Sequence, residues 1–504
     1  MTSRKRLDAI VVGAGPNGLA AAVVLSAAGL SVRMYEGAET AGGGCRTSEL
    51  TLPGVRHDVC SAVHPLALAS PFFHWLGLEE RGVRFLQPEV PFAHPLDQGR
   101  AAATFRRVDE TAAALSTSAD RGAYRRLLGP LVRSVPSIAR ATLSSYRAVP
   151  SDVAHVIPFA VHGMRSAQSL ARRFEGADVR AVIAGVAAHA MQPLDVPLTG
   201  GVALLLGSLA HGVGWPVVEG GSARIVDALI AVLRAGGAEV ITGERVNSLG
   251  ELPPARAVLL DVSPRAATTL MGSRIPNGYA RQLHRFRYGP GVCKVDWALE
   301  GAVPWRAEVC RRAGTLHLGG TFEEIASAEH DVAAGRHPER PYVLTVQPGV
   351  ADASRAPAGV HTLWTYCHVP AGSDIDMSEA IARQVERFAP GFRDLVLARS
   401  ARTARAMEIE NPNYVGGDIA CGAQDFRQMV ARPVARWHPY RVPGSEVYLC
   451  SSATPPGPGV HGCCGQLAAR AALRDVFGIR AAPLAPAVSL EAPDIGHTRP
   501  QGPR

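Results

Sequence analysis

A chain of 504 residues, 47% hydrophobic and only 19% charged, is long enough for more than one core and too apolar to stay disordered. Its net charge of +8 comes from arginines scattered along the chain, with no basic run interleaved with aromatics, which argues against a nucleic-acid-binding protein. Nine cysteines without a CxxC pair or zinc-like spacing suit reduced thiols in a cytosol, and no apolar stretch reaches the roughly 20 residues of a membrane-spanning helix.

In chain order, DAIVVGAG from Asp8 predicts a first strand, PNGLAAAVVLSAAG a helix, and LSVRMYEG a second strand ending at Glu36. Between strand and helix stand Gly13, Ala14, Gly15, Pro16, Asn17 and Gly18. Gly13 permits a tight turn, Gly15 lets the backbone approach a pyrophosphate, Gly18 allows close helix packing, and Glu36 offers an acceptor to a ribose hydroxyl. The spacing predicts a Rossmann-type dinucleotide site without saying which dinucleotide. A second glycine-rich element follows at Gly42-Gly43-Gly44-Cys45-Arg46, whose arginine can pair bidentately with a phosphate.

Residues 81–214 read as mainly helical. Arg126, Arg133, Arg140 and Arg147 recur there every seven residues beside Leu127, Leu131, Val135 and Ile138. That stripe reads either as an ordinary surface helix, interrupted at Pro130 and Pro136, or as a peripheral contact with an anionic membrane. GWPVVEGG, the helical SARIVDALIAVLRAGG, the strand AEVITGERV and AVLLDVSP then return to an α/β pattern suited to a parallel sheet. From 271 to 425, strand-like runs such as GVCKVDWALE, TLHLGG, YVLTVQP and HTLWTYCHV predict an antiparallel sheet. The strand EVYLCSSAT, a glycine-proline loop and the helix GQLAARAALRDVFG follow. The expected architecture is therefore α/β, with a discontinuous cofactor domain (1–80, 215–270 and 426–480), an inserted substrate domain of helices and antiparallel sheet (81–214 and 271–425), and a loose tail at 481–504.

The two glycine elements, together with the loop from Ala453 through Thr454, Gly459, Val460 and His461 to Gly462 ahead of the last helix, resemble the large FAD family of phytoene desaturases, flavin amine oxidases and protoporphyrinogen oxidases. YGPGVCKVDWALEGAVPW, AGTLHLGGTFEEI, DASRAPAGVHTLWTYCHVPAG and NPNYVGGDI look like the phytoene-desaturase-related branch that takes in pyridine nucleotide-disulfide oxidoreductase domain-containing protein 2. The resemblance implies one FAD. Gly43, Gly44 and Arg46 would cover the dinucleotide, the Val246 backbone would meet adenine, and Thr454, Gly459, Val460 and His461 would lie by the flavin ring. Many relatives carry an acidic residue just upstream of that loop, where this chain has Cys450-Ser451-Ser452. Without a CxxC, disulfide chemistry is rejected despite the branch's name.

Polar residues embedded in the apolar strands of the insertion are the catalytic candidates: Lys294, His317, Tyr366 and His368. Lys294 is the sharpest, because the chain holds one other lysine, Lys5, against fifty arginines, and a compact ammonium whose pKa falls on burial does what guanidinium cannot. It is expected to point into the substrate cavity, the other reading being an ion pair with Asp296 on the same strand face. His189, in the apolar stretch from Ala181 to Ala190, reads as core, the other reading being that it reaches the pocket. The function expected is an FAD-dependent dehydrogenase or desaturase removing hydride from a CH–CH unit of a largely apolar small molecule. Amine-oxidase-like C–N oxidation stands beside it, disfavoured by an aromatic content of 6%, as does a non-catalytic FAD-containing scaffold. A small-molecule substrate, no nucleic acid and a cytoplasmic location are expected, with peripheral membrane contact left open.

Overall fold

In the computed structural model, which describes residues 6–145 and 152–480, two sheets organise the chain. The strands are β1 (Leu7–Val12), β2 (Val32–Tyr35), β3 (Val90–Pro95), β4 (Ala101–Thr104), β5 (Glu239–Ile241), β6 (Ala255–Leu260), β7 (Gly291–Leu299), β8 (Ala313–Leu318), β9 (Val343–Val346), β10 (His361–Val369), β11 (Val396–Arg402) and β12 (Val447–Leu449). The helices that matter below are α1 (Pro16–Ala27), α2 (Ser118–Arg133), α3 (Val135–Thr142), α4 (Val153–Gly163), α5 (Thr199–Gly212), α6 (Ala223–Ala235), α7 (Phe322–Ala333), α8 (Ala404–Glu410) and α9 (Cys463–Phe477). The tail at 481–504 and Arg147 lie outside the described residues.

The first sheet is parallel, in the order β12-β6-β1-β2-β5. Its central strand, LDAIVV, is continuously apolar because both faces are covered. One face packs on α1, α6 and α9, the other on helices at Pro264–Met271 and Asn277–His284. Contact between α1 and α9 is backbone-close, since a Cβ placed on Gly465 would lie 1.7 Å from the Asn17 carbonyl oxygen.

The second sheet has seven strands in the order β11-β7-β10-β9-β8-β3-β4, and every pairing is antiparallel except β8 with β3. Register sorts its side chains. Lys294 stands opposite Tyr366 and Arg402, Val292 opposite His368, Asp296 opposite Trp364, Leu344 opposite Tyr366, and His317 opposite Leu344, so all share one face. The reverse face, with Cys293, Val295, Trp297, Leu316, Leu363 and Cys367, buries an apolar core against the helix Ser378–Phe388.

Four local expectations are corrected. The region read as mainly helical also supplies β3 and β4, whose short runs VPFAHP and AAAT carry no alternation to betray them. Val217–Val218 pairs antiparallel with Phe85–Leu86 and stays outside the parallel sheet. The strand before Val246 stops at Ile241, which leaves Val246 in the coil beyond. The arginine stripe is not one helix: Pro130 is accommodated inside α2, the break falls at Ser134, and Arg140 is paired with Asp152.

Candidate active site

A cavity of about 730 Å³ runs from the carboxyl ends of β1 and β2 to the polar face of the seven-stranded sheet. That volume is ample for a large ligand, and the ends of parallel strands are where such folds bind dinucleotides.

At the first end, Gly13 turns the chain at a φ of +98°, and a Cβ on Gly18 would fall 2.0 Å from the Gly13 carbonyl oxygen, so both glycines are dictated by the turn. Gly15 lines the cavity and is constrained from behind as well. A Cβ there would meet the Asp261 carboxylate at 2.7 Å, so the bare α-carbon makes room for Asp261. Asp261 accepts from the Gly18 N–H (2.8 Å), and burial followed by the charge of Glu36 pushes its carboxyl up to about 7. Glu36 accepts from the N–H groups of Ala14 (2.7 Å) and Ala38 (2.9 Å). Pro16, Gly43, Gly44 and Val246 also line this end.

Asn17 donates to Ser452 Oγ (3.2 Å), while its Oδ1 is buried and unpartnered among the described residues. Ser451 and Ser452 thus line the cavity where relatives of the resemblance carry an acid. Arg46 donates to the Gly43 carbonyl (3.0 Å) and to Glu410 (2.9 Å), which Arg402 also engages (2.8 Å). A glycine cradle, an acid at the end of β2, an orphaned amide oxygen and an arginine beside a long cavity form a donor set that fits a dinucleotide.

Of the final loop, Gly459 and Val460 line the cavity. Thr454 and His461 do not. Thr454 Oγ1 donates to the Ser451 carbonyl (2.7 Å). His461 accepts from the Cys463 N–H at Nδ1 (3.0 Å) and donates from Nε2 to the Gly457 carbonyl (3.2 Å), and burial lowers its pKa to about 4. With both ring nitrogens committed to the loop, its expected cofactor contact is replaced by a structural role.

At the far end the walls are His189, Met191, Val202, Leu205, Leu206, Trp215, Leu344, Trp364, Tyr366, Tyr414 and Ile419. Trp215 Nε1–H is spent on Thr315 (2.9 Å) and Trp364 Nε1–H on the Asp58 carbonyl (3.0 Å), so the indoles turn apolar surface to the chamber. No carboxylate, lysine or arginine stands among these walls. The charged residues of the whole lining are Glu36, Arg46, Glu244, Arg245, Asp261, Arg265 and Glu410, of which Arg46 and Glu410 are paired with each other.

Of the catalytic candidates, only Tyr366 lines the cavity. Lys294 is held one layer behind, its ammonium bonded to Asp296 and 5.2 Å from the Trp364 ring centre. The expectation that it enters the cavity is corrected. Asp296, itself held by Arg402 (2.9 Å) and facing His57 (3.6 Å), draws the amine along the sheet. Burial lowers Lys294 to about 8 against the opposing pull of Asp296. His317 also sits behind the wall, sharing a hydrogen bond with His189 (3.1 Å). His368 is bonded through Nδ1 to Glu329 (2.8 Å), its ring near those of Tyr342 and Tyr366. His189, read as core, lines the cavity, as does His64, and burial lowers the His189 pKa to about 3. Asp261, Trp215, Trp364 and Tyr414 were not singled out from the sequence; Asp261 alone had a signal, as an acid ending the strand ARAVLL.

Fold and site define a Rossmann-type α/β protein whose cleft, roofed by an inserted sheet, has the features of a dinucleotide site. A family model described as an NAD(P)-binding Rossmann-like domain matches residues 11–73. The chain is a homologue of pyridine nucleotide-disulfide oxidoreductase domain-containing protein 2; the rat protein is 26% identical, with 93% of this chain and 94% of the relative covered. A 4,4'-diapolycopen-4-al dehydrogenase from Metabacillus indicus is 29% identical over 130 residues, 24% of this chain and 26% of that protein. Putrescine oxidase bound to putrescine shares the fold, with a TM-score of 0.60 at 18% identity over 94% of this chain and 99% of that one.

Proposed function

We propose that the protein is an FAD-dependent oxidoreductase that removes hydride from a CH–CH unit of an uncharged, largely apolar small molecule. The observation that carries this reading is a single cavity that joins a dinucleotide cradle to walls of Trp215, Trp364, Tyr366, Leu344, Leu205 and Leu206. FAD suits the cradle: Glu36 would hold the ribose, the Gly13–Gly18 turn with Asn17, Gly43, Gly44 and Arg46 the pyrophosphate, and Gly459 and Val460 the ring end. When bound, FAD supplies a two-electron acceptor that needs no protein acid or base to take up hydride. The chain's own task is then to orient substrate between the Trp215, Trp364, Tyr366 and Tyr414 rings and to exclude water. His189, held neutral by burial, can accept a hydrogen bond without presenting a charge.

A second reading, C–N oxidation of an amine, draws support from those four rings, which could flank a substrate. Against it, Glu410, a carboxylate of the lining, is already paired with Arg46 and Arg402 and is not free to receive an ammonium. An anaerobic screen following bleaching of the visible flavin absorbance tests the proposal. Bleaching by polyenes or other neutral apolar compounds is expected; bleaching by amines alone would replace the reading with the second, and a purified protein without flavin would overturn both.

A further inference from the structure

Four of the thirteen large apolar side chains exposed among the described residues stand on one short segment: Val153 (46% exposed), Ile157 (52%) and Val161 (55%) on α4, and Met164 (50%) at its end. Spacings of four, four and three residues place them within an arc of about 80° on a helix turning 100° per residue. The apolar stripe therefore faces solvent, the reverse of an ordinary amphipathic helix.

The inner side of α4 packs on α5 so closely that a Cβ on Gly163 would lie 3.3 Å from the Gly201 α-carbon. Val202, Leu205 and Leu206 of α5 in turn line the chamber, so the stripe is the outer surface of a two-helix wall. The chain that follows it is basic. Arg165, Arg172 and Arg173 are exposed, none joins an ion pair among the described residues, and no acidic residue occurs from Val153 to Phe174. Arg173 donates a hydrogen bond to His162 Nδ1 (3.4 Å), which ties it to α4. Two copies meeting on this face would set arginines against arginines, whereas a surface of phosphate groups over an apolar layer complements both features.

We propose that α4 is an in-plane anchor to an anionic lipid bilayer, with Val153, Ile157, Val161 and Met164 in the interfacial region and Arg165, Arg172 and Arg173 on lipid phosphates. Docking of this kind brings the outer face of the two-helix wall against lipid, with α5 between α4 and the chamber. The anchor stands whether or not the chamber takes an apolar substrate.

Co-sedimentation of the full-length flavin-loaded protein tests it, using vesicles of phosphatidylcholine alone or mixed equally with phosphatidylglycerol. The wild-type protein is expected to pellet with the anionic vesicles and to be released by high salt. Ile157→Glu with Val161→Glu should weaken pelleting at least about tenfold, and replacing Arg165, Arg172 and Arg173 together by alanine should weaken it about a hundredfold. These exposed changes should leave melting temperature and flavin absorbance unaltered. Failure to pellet with anionic vesicles, pelleting unaffected by the variants, or equal pelleting with neutral vesicles would overturn the proposal. So would light scattering that shows a dimer dissolved by the glutamate variants, which would assign the stripe to a second copy.

Discussion

At the scale of single residues, the dinucleotide cradle was legible because glycine is demanded wherever a Cβ would strike backbone. The partner it makes room for was not. Nothing in the spacing places Asp261 beneath Gly15, since the two are brought together only by pairing of β1 with β6. Gly15→Val should therefore drive a branched side chain into the Asp261 carboxylate and displace the turn, leaving protein with less than about a tenth of the wild-type flavin by visible absorbance. Lys294 was conspicuous by its rarity, but rarity does not give direction. Its neighbours Asp296 and Arg402 arrive on one face by sheet register and keep it out of the chamber. Lys294→Met should retain flavin and lower stability by about 1–3 kcal/mol, less than a fully orphaned buried charge costs, because Arg402 still neutralises Asp296. Thermal denaturation with flavin absorbance as a parallel readout distinguishes this from a catalytic role, in which flavin reduction would slow at an unchanged melting temperature.

At the scale of elements, strands with steady apolar runs and helices with clear caps were readable, whereas β3 and β4 were not, because their places are set by neighbours from the second insertion. The same holds for the polar face of the large sheet. Lys294 on β7, His317 on β8 and Tyr366 with His368 on β10 look like separate polar intrusions, and register gathers the three strands' residues on one face. The crossing of α1 and α9 is another feature invisible in either helix alone. Gly465→Ala should wedge the two apart against the Asn17 carbonyl, since neither backbone can yield cheaply. A loss of about 2–4 kcal/mol in denaturant unfolding, with weakened flavin retention through the shift of Asn17, is the expected result. Unchanged stability would mean that the helices separate without cost.

For the molecule as a whole, burial of titratable groups sets the response to acid. His57, His64, His94, His211 and His461 are lowered to about 4 and His189 to about 3, chiefly by burial. A histidine held neutral in the fold contributes stability that is intact above its unfolded pKa of about 6.5 and is lost as pH falls below it, because the unfolded chain then binds the proton first. At pH 5.5 each would cost about 1.4 kcal/mol, and six together roughly 8 kcal/mol as a ceiling, comparable to the whole stability of an ordinary domain. Asp261 works the other way. Raised to about 7, it favours the fold as pH falls between about 7 and 4, but by only about 2 kcal/mol at pH 5.5. The histidines win, so the melting temperature should fall steeply from pH 6.5 to 5; a flat profile over that range would mean that these rings are hydrated in solution.

The interleaving of the chain also has a consequence for its birth on the ribosome. β1 and β2 emerge first, yet β6, which flanks β1, is followed by nearly 190 residues before β12 arrives to cover its open edge, and α9 reaches α1 later still. Until synthesis is almost finished, the nascent chain carries an uncapped strand and an unburied helix face, the features that invite wrong pairing. Such a protein has no early native stopping point. Ending translation ahead of Val447 should leave insoluble or chaperone-bound chains, with no smaller flavin-binding product, and pulse-labelled fragments of graded length would reveal protease resistance only once the last helix has cleared the exit tunnel.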